Sequence, residues 1–488
     1  MIWASWEPPV TAITEPTRKE VTGWQIEALL GDKEALQAAK DTWNELAKTQ
    51  PRLTDSTSTE EVEREAERSA YARARKAYQA GEISEEEHRE ARKAFYSLIR
   101  RTKRECWEGF LQGTSEGSLP DQKRCWTALR YTKLQTQSTT PALTDEASGE
   151  VIAAIFSEKE EVFRHRAFPQ ALNSNIELQL PEPGSAHKLV NEEAVKNALF
   201  SQGLEKAPGT DLLNFRAIRL LWNLDSERVV SLVKQCLRLG IHPRIWKIAK
   251  GVLLRKNGKT NYTLASAYRV ISLLKCLGKV IEKLVAELIT NFAEAQDLFH
   301  DGQFGGRRQR SAIDAVACLV EEIHQAWANR KLAAALFMDI KGAFDHVVLA
   351  RLIEVLREAS VDGDLILWVV SFLSNRRVTL VIDGHIGKEA SISSGLPQGS
   401  PVSPILFVLY VHGLSRAIER SVLEIRCLSF VDDQGLITAA SSVKEACRTL
   451  EKAAEVAIEW GVTNRVQFDR KKTEAVTYDQ SNQVIFTI

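Results

Sequence analysis

Phe337-Met338-Asp339-Ile340-Lys341-Gly342-Ala343-Phe344-Asp345 closes an apolar run over 332–338, and about ninety residues later Phe430-Val431-Asp432-Asp433 supplies two more acids in a similar strand-end setting. The first run predicts a buried strand with Asp339 at its C-terminal edge. Residues 425–431 read as a second strand, Asp432-Asp433 as a tight turn and 435–438 as the returning strand of a hairpin, whose tip then carries two carboxylates. Acids held this close resist full ionisation unless a cation lies between them, and hard oxygen ligands with room for phosphate select Mg²⁺. Two such ions, ~3.5–4 Å apart, clamp an in-line phosphoryl displacement. An Asp-Asp pair standing alone is an ordinary solvated turn, so the neighbouring segments have to decide.

Between the acids lies Ser394-Gly395-Leu396-Pro397-Gln398-Gly399-Ser400-Pro401, followed by the apolar run 402–411. This predicts a glycine loop feeding a helix, with Ser400 as N-cap and Pro401 as first helical residue. Gly395 and Gly399 permit backbone shapes or close approaches that a side chain would block, leaving room for a base pair against the loop. By itself this is a turn before a core helix.

Taken in order, Phe-x-Asp-x-x-x-Ala-Phe-Asp (337–345), Ser-Gly-Leu-Pro-Gln-Gly-Ser-Pro (394–401) and Phe-Val-Asp-Asp (430–433) resemble reverse transcriptases of non-LTR, LINE-type retrotransposons. Lys206-Ala207-Pro208-Gly209-x-Asp211, Tyr268-Arg269-x-Ile271-Ser272-Leu273-Leu274, Gly278-Lys279-x-x-Glu282-Lys283, Gln303-Phe304-Gly305-Gly306-Arg307 and Lys472-Thr473-Glu474 extend the resemblance over about 190–478. It implies an α+β right-hand polymerase, with fingers at 186–335, further fingers elements within 350–394, a palm at 336–488 and the thumb largely missing. A mostly helical N-terminal extension and linker occupies 1–185. The implied activity is RNA-directed DNA synthesis, joining dNTPs to a DNA primer 3′-OH on an RNA template by two-metal nucleotidyl transfer.

Residue by residue, the resemblance makes Asp339, Asp432 and Asp433 the acids that bind two Mg²⁺, or Mn²⁺, with the Ile340 carbonyl as a further ligand. Phe344 would lie against the sugar C2′ position, where a bulky ring excludes a 2′-hydroxyl; an RNA-making polymerase needs a small or hydrogen-bonding residue there. Lys256 and Arg269 would approach the incoming triphosphate. Gln398 and Gly399 would lie near the templating base pair. Lys472 matches a lysine that protonates the pyrophosphate leaving group, although next to Asp469-Arg470-Lys471 it reads equally as part of a solvated basic turn.

Formal net charge is zero, with 64 basic and 64 acidic residues, yet residues 234–283 hold twelve Lys and Arg against one acid, Glu282. Such a segment predicts contact with nucleic-acid phosphates. A chain of 488 residues with 44% hydrophobic content reads as two or three globular domains. The seven cysteines lack a Cys-x-x-Cys pair, which predicts a reducing compartment and no zinc knuckle. No apolar run approaches the ~20 residues that span a bilayer, so no membrane partner is expected, and the expected location is intracellular and nuclear.

Upstream, 54–60 reads as a polar linker and 61–112 as a charged helical hairpin. The basic run 100–104 reads as a solvated helix face, with RNA binding or nuclear import as alternatives. Asn173-Ser174-Asn175 with Pro181, Pro183 and Gly184 marks another linker. Ser311 to Asp314 predicts a capping box, and Ile313, Val316, Ala317, Val320 and Ile323 then predict a buried helix face. Asn257 and Val270 stand where relatives commonly have proline, and Leu212 where they have glycine. The chain ends fourteen residues after Glu474, with nothing resembling an endonuclease or ribonuclease H, and so reads as a fragment. Two readings stay open: an RNA-directed DNA polymerase, or a catalytically weak or inactive remnant that still binds nucleic acid. Phe344 argues against a third, an RNA-making or group II intron-type relative.

Overall fold

A computed structural model of the protein describes residues 140–169, 178–479 and the backbone of 483–486. The expected helical hairpin at 61–112, the linker at 54–60, the basic run at 100–104 and Asn173-Ser174-Asn175 lie outside those residues. In chain order, the described elements begin with β1 (Leu143–Thr144), β2 (Val151–Ala153), α1 (Phe156–Ala167), α2 (Glu192–Phe200), α3 (Phe215–Leu224), α4 (Ser226–Arg238), β3 (Ile248–Arg255) and β4 (Tyr268–Leu273). Then come α5 (Cys276–Ala295), α6 (Ala312–Ala328), β5 (Leu332–Asp339), α7 (Leu349–Glu358), α8 (Gly363–Leu373), β6 (Arg376–Ile382) and β7 (His385–Ile392). The chain continues through α9 (Ser403–Val411), α10 (Gly413–Ser421), β8 (Ile425–Phe430), β9 (Asp433–Ala440), α11 (Val443–Asn464), β10 (Glu474–Tyr478) and β11 (Gln483–Phe486).

Two sheets organise these elements. The five-stranded sheet runs β11-β10-β5-β9-β8 with every pairing antiparallel. The four-stranded sheet runs β4-β3-β6-β7, parallel only between β3 and β6. β5 lies inside the larger sheet and buries Ala333 to Leu336 on both faces, which explains its unbroken apolar run. Helix α9 is apolar all round and correspondingly buried from Ile405 to Val411. It sits in a large core that also includes Trp246, Trp368 and Phe372.

Residues 140–169 share a core with the four-stranded sheet. Leu143, Ala153 and Phe163 pack with Ala249, Tyr268, Val378 and Leu380, and the Phe163 ring meets Tyr268 edge-on at 5.3 Å. The Glu160 carboxylate accepts the Lys388 amide at 3.1 Å, which ties α1 to β7.

Four sequence expectations need correction. The segment around Pro183 and Gly184 is pinned: the Asp362 and Asp364 carboxylates accept the backbone amides of Gly184, Ser185, Ala186 and His187. Helix α9 starts at Ser403, with Val402 rather than Ser400 at its N-cap; the Ser400 hydroxyl donates to Glu282 and accepts Val402 N at 3.3 Å. Asp433 belongs to β9, so the turn consists of Val431 and Asp432. The capping box of α6 is present, but Ile313, Val316 and Val320 are 79%, 57% and 42% exposed, and Ala317 is exposed too. Only the C-terminal half of α6 docks, through Ile323 and Ala326 onto Ala333. Periodicity identifies an apolar face without saying how far a neighbour extends beneath it.

Leu212, at the family's glycine position, adopts φ +59°, and Val270 pairs with Leu253 inside β4. A left-handed conformation is costly for any residue with a Cβ, which is the physical reason to expect glycine at such a position.

Candidate polymerase active site

The strand registers bring the acids together. Asp339, the last residue of β5, is the register partner of Asp433, the first residue of β9, and Asp432 precedes it in the β8–β9 turn. The Ile340 amide donates to the Asp432 carbonyl at 3.4 Å. Ile340 is itself buried. Val431 adopts φ +60° to close this turn, an outlying conformation for a β-branched residue, of the kind found where surrounding structure imposes it.

The imposing structure is the Gln303 to Gly306 segment. Phe304 N donates to Ser429 O at 2.9 Å, and Ser429 N to Gly302 O at 2.8 Å. A Cβ at Gly305 would lie 2.5 Å from Val431 N, so glycine is required for this segment to support the hairpin. Sequence reading left that block without a role.

Lys472 reaches the acids through a second brace. Asp469 N donates to Asp339 O at 2.8 Å and Lys341 N to Gln467 O at 2.8 Å, stitching the 467–472 turn to the end of β5. The Lys472 ammonium ion-pairs with Asp339 and lies 3.7 Å from Asp469 Oδ2. Burial opposes its charge, but these carboxylates outweigh it and hold Lys472 above its ordinary pKa. Burial raises Asp432 and Asp433, and the neighbouring carboxylates raise both further.

No three acidic, His or Cys side chains among the described residues already form a metal cage. The residues nonetheless suit a hard divalent cation: Asp339, Asp432 and Asp433 are hard oxygen donors whose charges oppose one another, and the Lys472 ammonium pairs with Asp339 as a cation would.

The loop 394–400 is fastened to the segment that follows Asp339. Leu396 N donates to Phe344 O at 2.6 Å and Gly395 N to Val347 O at 3.0 Å. The buried Arg376 guanidinium donates to Ser394 O and Gly395 O at 2.5 and 2.6 Å. Ser272 N donates to Gln398 O at 2.7 Å. Gly399 has φ +115°, and a Cβ there would meet Ser272 O at 2.8 Å. The half-buried Phe344 ring packs on the buried Phe407 with centroids 5.3 Å apart.

Asp345 is a side chain beside the site to which sequence reading gave no role. Its Oδ1 accepts Gln398 Nε2 at 3.0 Å. Burial pushes its carboxyl up to about 6, opposed by that hydrogen bond and by Arg166, Lys256 and Arg376. Lys256 is lowered by burial and by Arg166, Arg269 and Lys472, so these three cations lie within electrostatic reach of it. Arg166, on α1, carried no sequence signal because it precedes the recognisable blocks.

Comparison with known proteins places the chain among relatives of one kind. Residues 254–487 match the family described as reverse transcriptase (RNA-dependent DNA polymerase). The RNA-directed DNA polymerase from mobile element jockey of Drosophila melanogaster is 28% identical over 336 residues, covering 66% of this chain and 36% of that protein. The probable RNA-directed DNA polymerase from transposon X-element of the same species is 27% identical, covering 71% of this chain and 37% of that protein. The retrovirus-related Pol polyprotein from type-1 retrotransposable element R1 of Bradysia coprophila is 25% identical, covering 66% and 30%. The chain thus spans about a third of the length of these curated relatives. Among the described residues no helix is long and apolar enough to cross a membrane.

Proposed function

We propose that this chain, which belongs to the reverse transcriptase family of non-LTR retrotransposons, extends a DNA primer with deoxynucleotides on an RNA template, acting in the nucleus. The observation that carries this reading is the Asp339–Asp433 register pair, with Asp432 beside it and the Lys472 ammonium on Asp339.

Asp339, Asp432, Asp433 and the Ile340 carbonyl would hold two Mg²⁺, or Mn²⁺. When bound, the ions supply positive charge against the attacking and leaving oxygens. Lys256 and Arg269 hold the triphosphate and neutralise charge developing on its oxygens. Lys472 holds a proton that it delivers to the pyrophosphate oxygen. The five-stranded sheet serves as palm and the four-stranded sheet as fingers. Gln398 and Gly399 shape the pocket for the templating base pair, and Phe344, backed by Phe407, excludes a 2′-hydroxyl.

Single-nucleotide addition tests the sugar assignment. Phe344→Ala should admit ribonucleotides more readily, with discrimination falling before overall speed. Unchanged discrimination in an active variant would leave Phe344 a packing residue alone.

A further inference from the structure

A carboxyl group that the proposed chemistry leaves unused is held against the 394–400 loop. Glu282, in the second turn of α5, is fully buried. Its Oε2 accepts the Ser400 hydroxyl at 2.5 Å, and its Oε1 has no hydrogen-bond partner among the described residues. Taking a carboxyl out of water is costly, and one hydroxyl satisfies only part of its capacity to accept. Apolar side chains in place of this pair would fill the same space at little or no loss of stability, so packing alone does not explain an acid here.

The acid does explain where Ser400 sits. A hydroxyl carries one proton, and Ser400 gives it to Glu282 while accepting Val402 N at 3.3 Å. Around this point the loop closes on itself: Ser400 N and Ser403 Oγ both donate to Pro397 O, at 3.2 and 2.9 Å. Ser272 of β4 supplies a second tie, its amide donating to Gln398 O at 2.7 Å, and a Cβ at Gly399 would meet Ser272 O at 2.8 Å. Because β4 and α5 are consecutive, one short stretch of chain grips the loop twice, by backbone at Gln398 and by the Glu282 side chain at Ser400. The tie from Gln398 Nε2 to Asp345 comes from a different segment, the one that follows β5.

We propose that Glu282 is a positioning residue for base selection: by holding Ser400 it fixes Gln398 and Gly399 against the templating base pair. This rests on the polymerase reading, which is what assigns a base pair to those two residues. In this role Glu282 acts through Ser400 and contacts no substrate. Without the carboxyl, the loop keeps its backbone tie at Gln398 but loses the one two residues on, and the Gly399 peptide between them gains freedom to move. Correct and mismatched base pairs differ in shape, and a surface that yields to both discriminates between them less well.

Single-nucleotide addition with matched and mismatched dNTPs, together with hydrogen exchange of the peptide spanning 394–403, tests this on the full chain. Ser400→Ala and Glu282→Leu should each raise the KM for the matched dNTP, and lower discrimination against the mismatch, by about five- to tenfold, the order set by one hydrogen bond, with a smaller change in kcat. The double variant should be no worse than either single one, because both remove the same link. Glu282→Gln keeps an acceptor for Ser400 and should retain most of the discrimination. Exchange in 394–403 should quicken in Ser400→Ala and Glu282→Leu and stay close to wild type in Glu282→Gln. A residue that served folding alone would lower Tm and the active fraction while leaving KM and discrimination where they were. Unchanged discrimination in folded, active Ser400→Ala and Glu282→Leu overturns the proposal, as does unchanged exchange in that peptide. Primer extension separates the two readings. Normal extension with unchanged discrimination and exchange fails this role of Glu282 alone; quickened exchange in a chain that never extends a primer supports the tie from Glu282 to the loop and fails the polymerase reading alone.

Discussion

Gln398 donates its side-chain amide to Asp345 across 3.0 Å, joining the 394–400 loop to the residue after Phe344. Leu396 N on Phe344 O fastens the same two segments a second time. On the proposed function, this ties the loop assigned to the templating base pair to the ring assigned to the sugar, so selection of base and sugar should be coupled.

Asp345→Ala should raise the KM for dNTPs by about tenfold, the order expected for losing one hydrogen bond to a charged group, with a smaller change in kcat. Asp345→Asn retains an acceptor for Gln398 and should lose less. Steady-state single-nucleotide kinetics measure both, and an unchanged KM in Asp345→Ala would remove Asp345 from the site.

Gly305→Ala should damage catalysis without contacting substrate. The added methyl would collide with Val431 N, so the hairpin carrying Asp432 has to shift, at about 1–3 kcal/mol for overpacking. Extension rate should fall at least tenfold while circular dichroism stays native, since ~1 Å of misplacement is that costly. A fully active Gly305→Ala protein would show that the buttress does not position the acids.

Glu282 makes stability depend on pH. Burial pushes its carboxyl up to about 7 from an ordinary 4.5. The folded state then binds the proton more tightly than the unfolded state, so stability is greatest below the unfolded value and falls as pH rises from about 4.5 to about 7. The whole effect is about 3 kcal/mol. Asp345, raised from 3.8 to about 6, contributes the same sign at lower pH. Denaturant unfolding across this range should show the fall, and Glu282→Gln should flatten its upper part. Equal slopes in the two proteins would remove Glu282 as the source.

The acids were legible as strand-end residues because each lies beside a strand-forming stretch, 332–338 or 425–431, which is a local signal. Phe344 was singled out by the family resemblance; in the structure its ring packs on Phe407. Asp345 stood in the same stretch without a role because its partner, Gln398, lies 53 residues away, and no periodicity encodes that pairing. Arg166 escaped for a similar reason: α1 reaches the site only by packing on the four-stranded sheet. The α6 face was misjudged because an apolar stripe reveals amphipathicity while burial depends on the neighbour. In the five-stranded sheet β5, β8 and β9 were legible from their own residues, whereas β10 and β11, which complete it, were not read as strands.

The most direct test of the central claim is primer extension by the 488-residue chain on an RNA template, with and without Mg²⁺, in wild type and Asp432→Asn. Losing one acid should cost about 4 kcal/mol of transition-state stabilisation, roughly a thousandfold in rate. The account requires extension that depends on the divalent cation and collapses in Asp432→Asn while RNA binding persists. Extension by Asp432→Asn at the wild-type rate, or by wild type in the presence of a chelator, would contradict it.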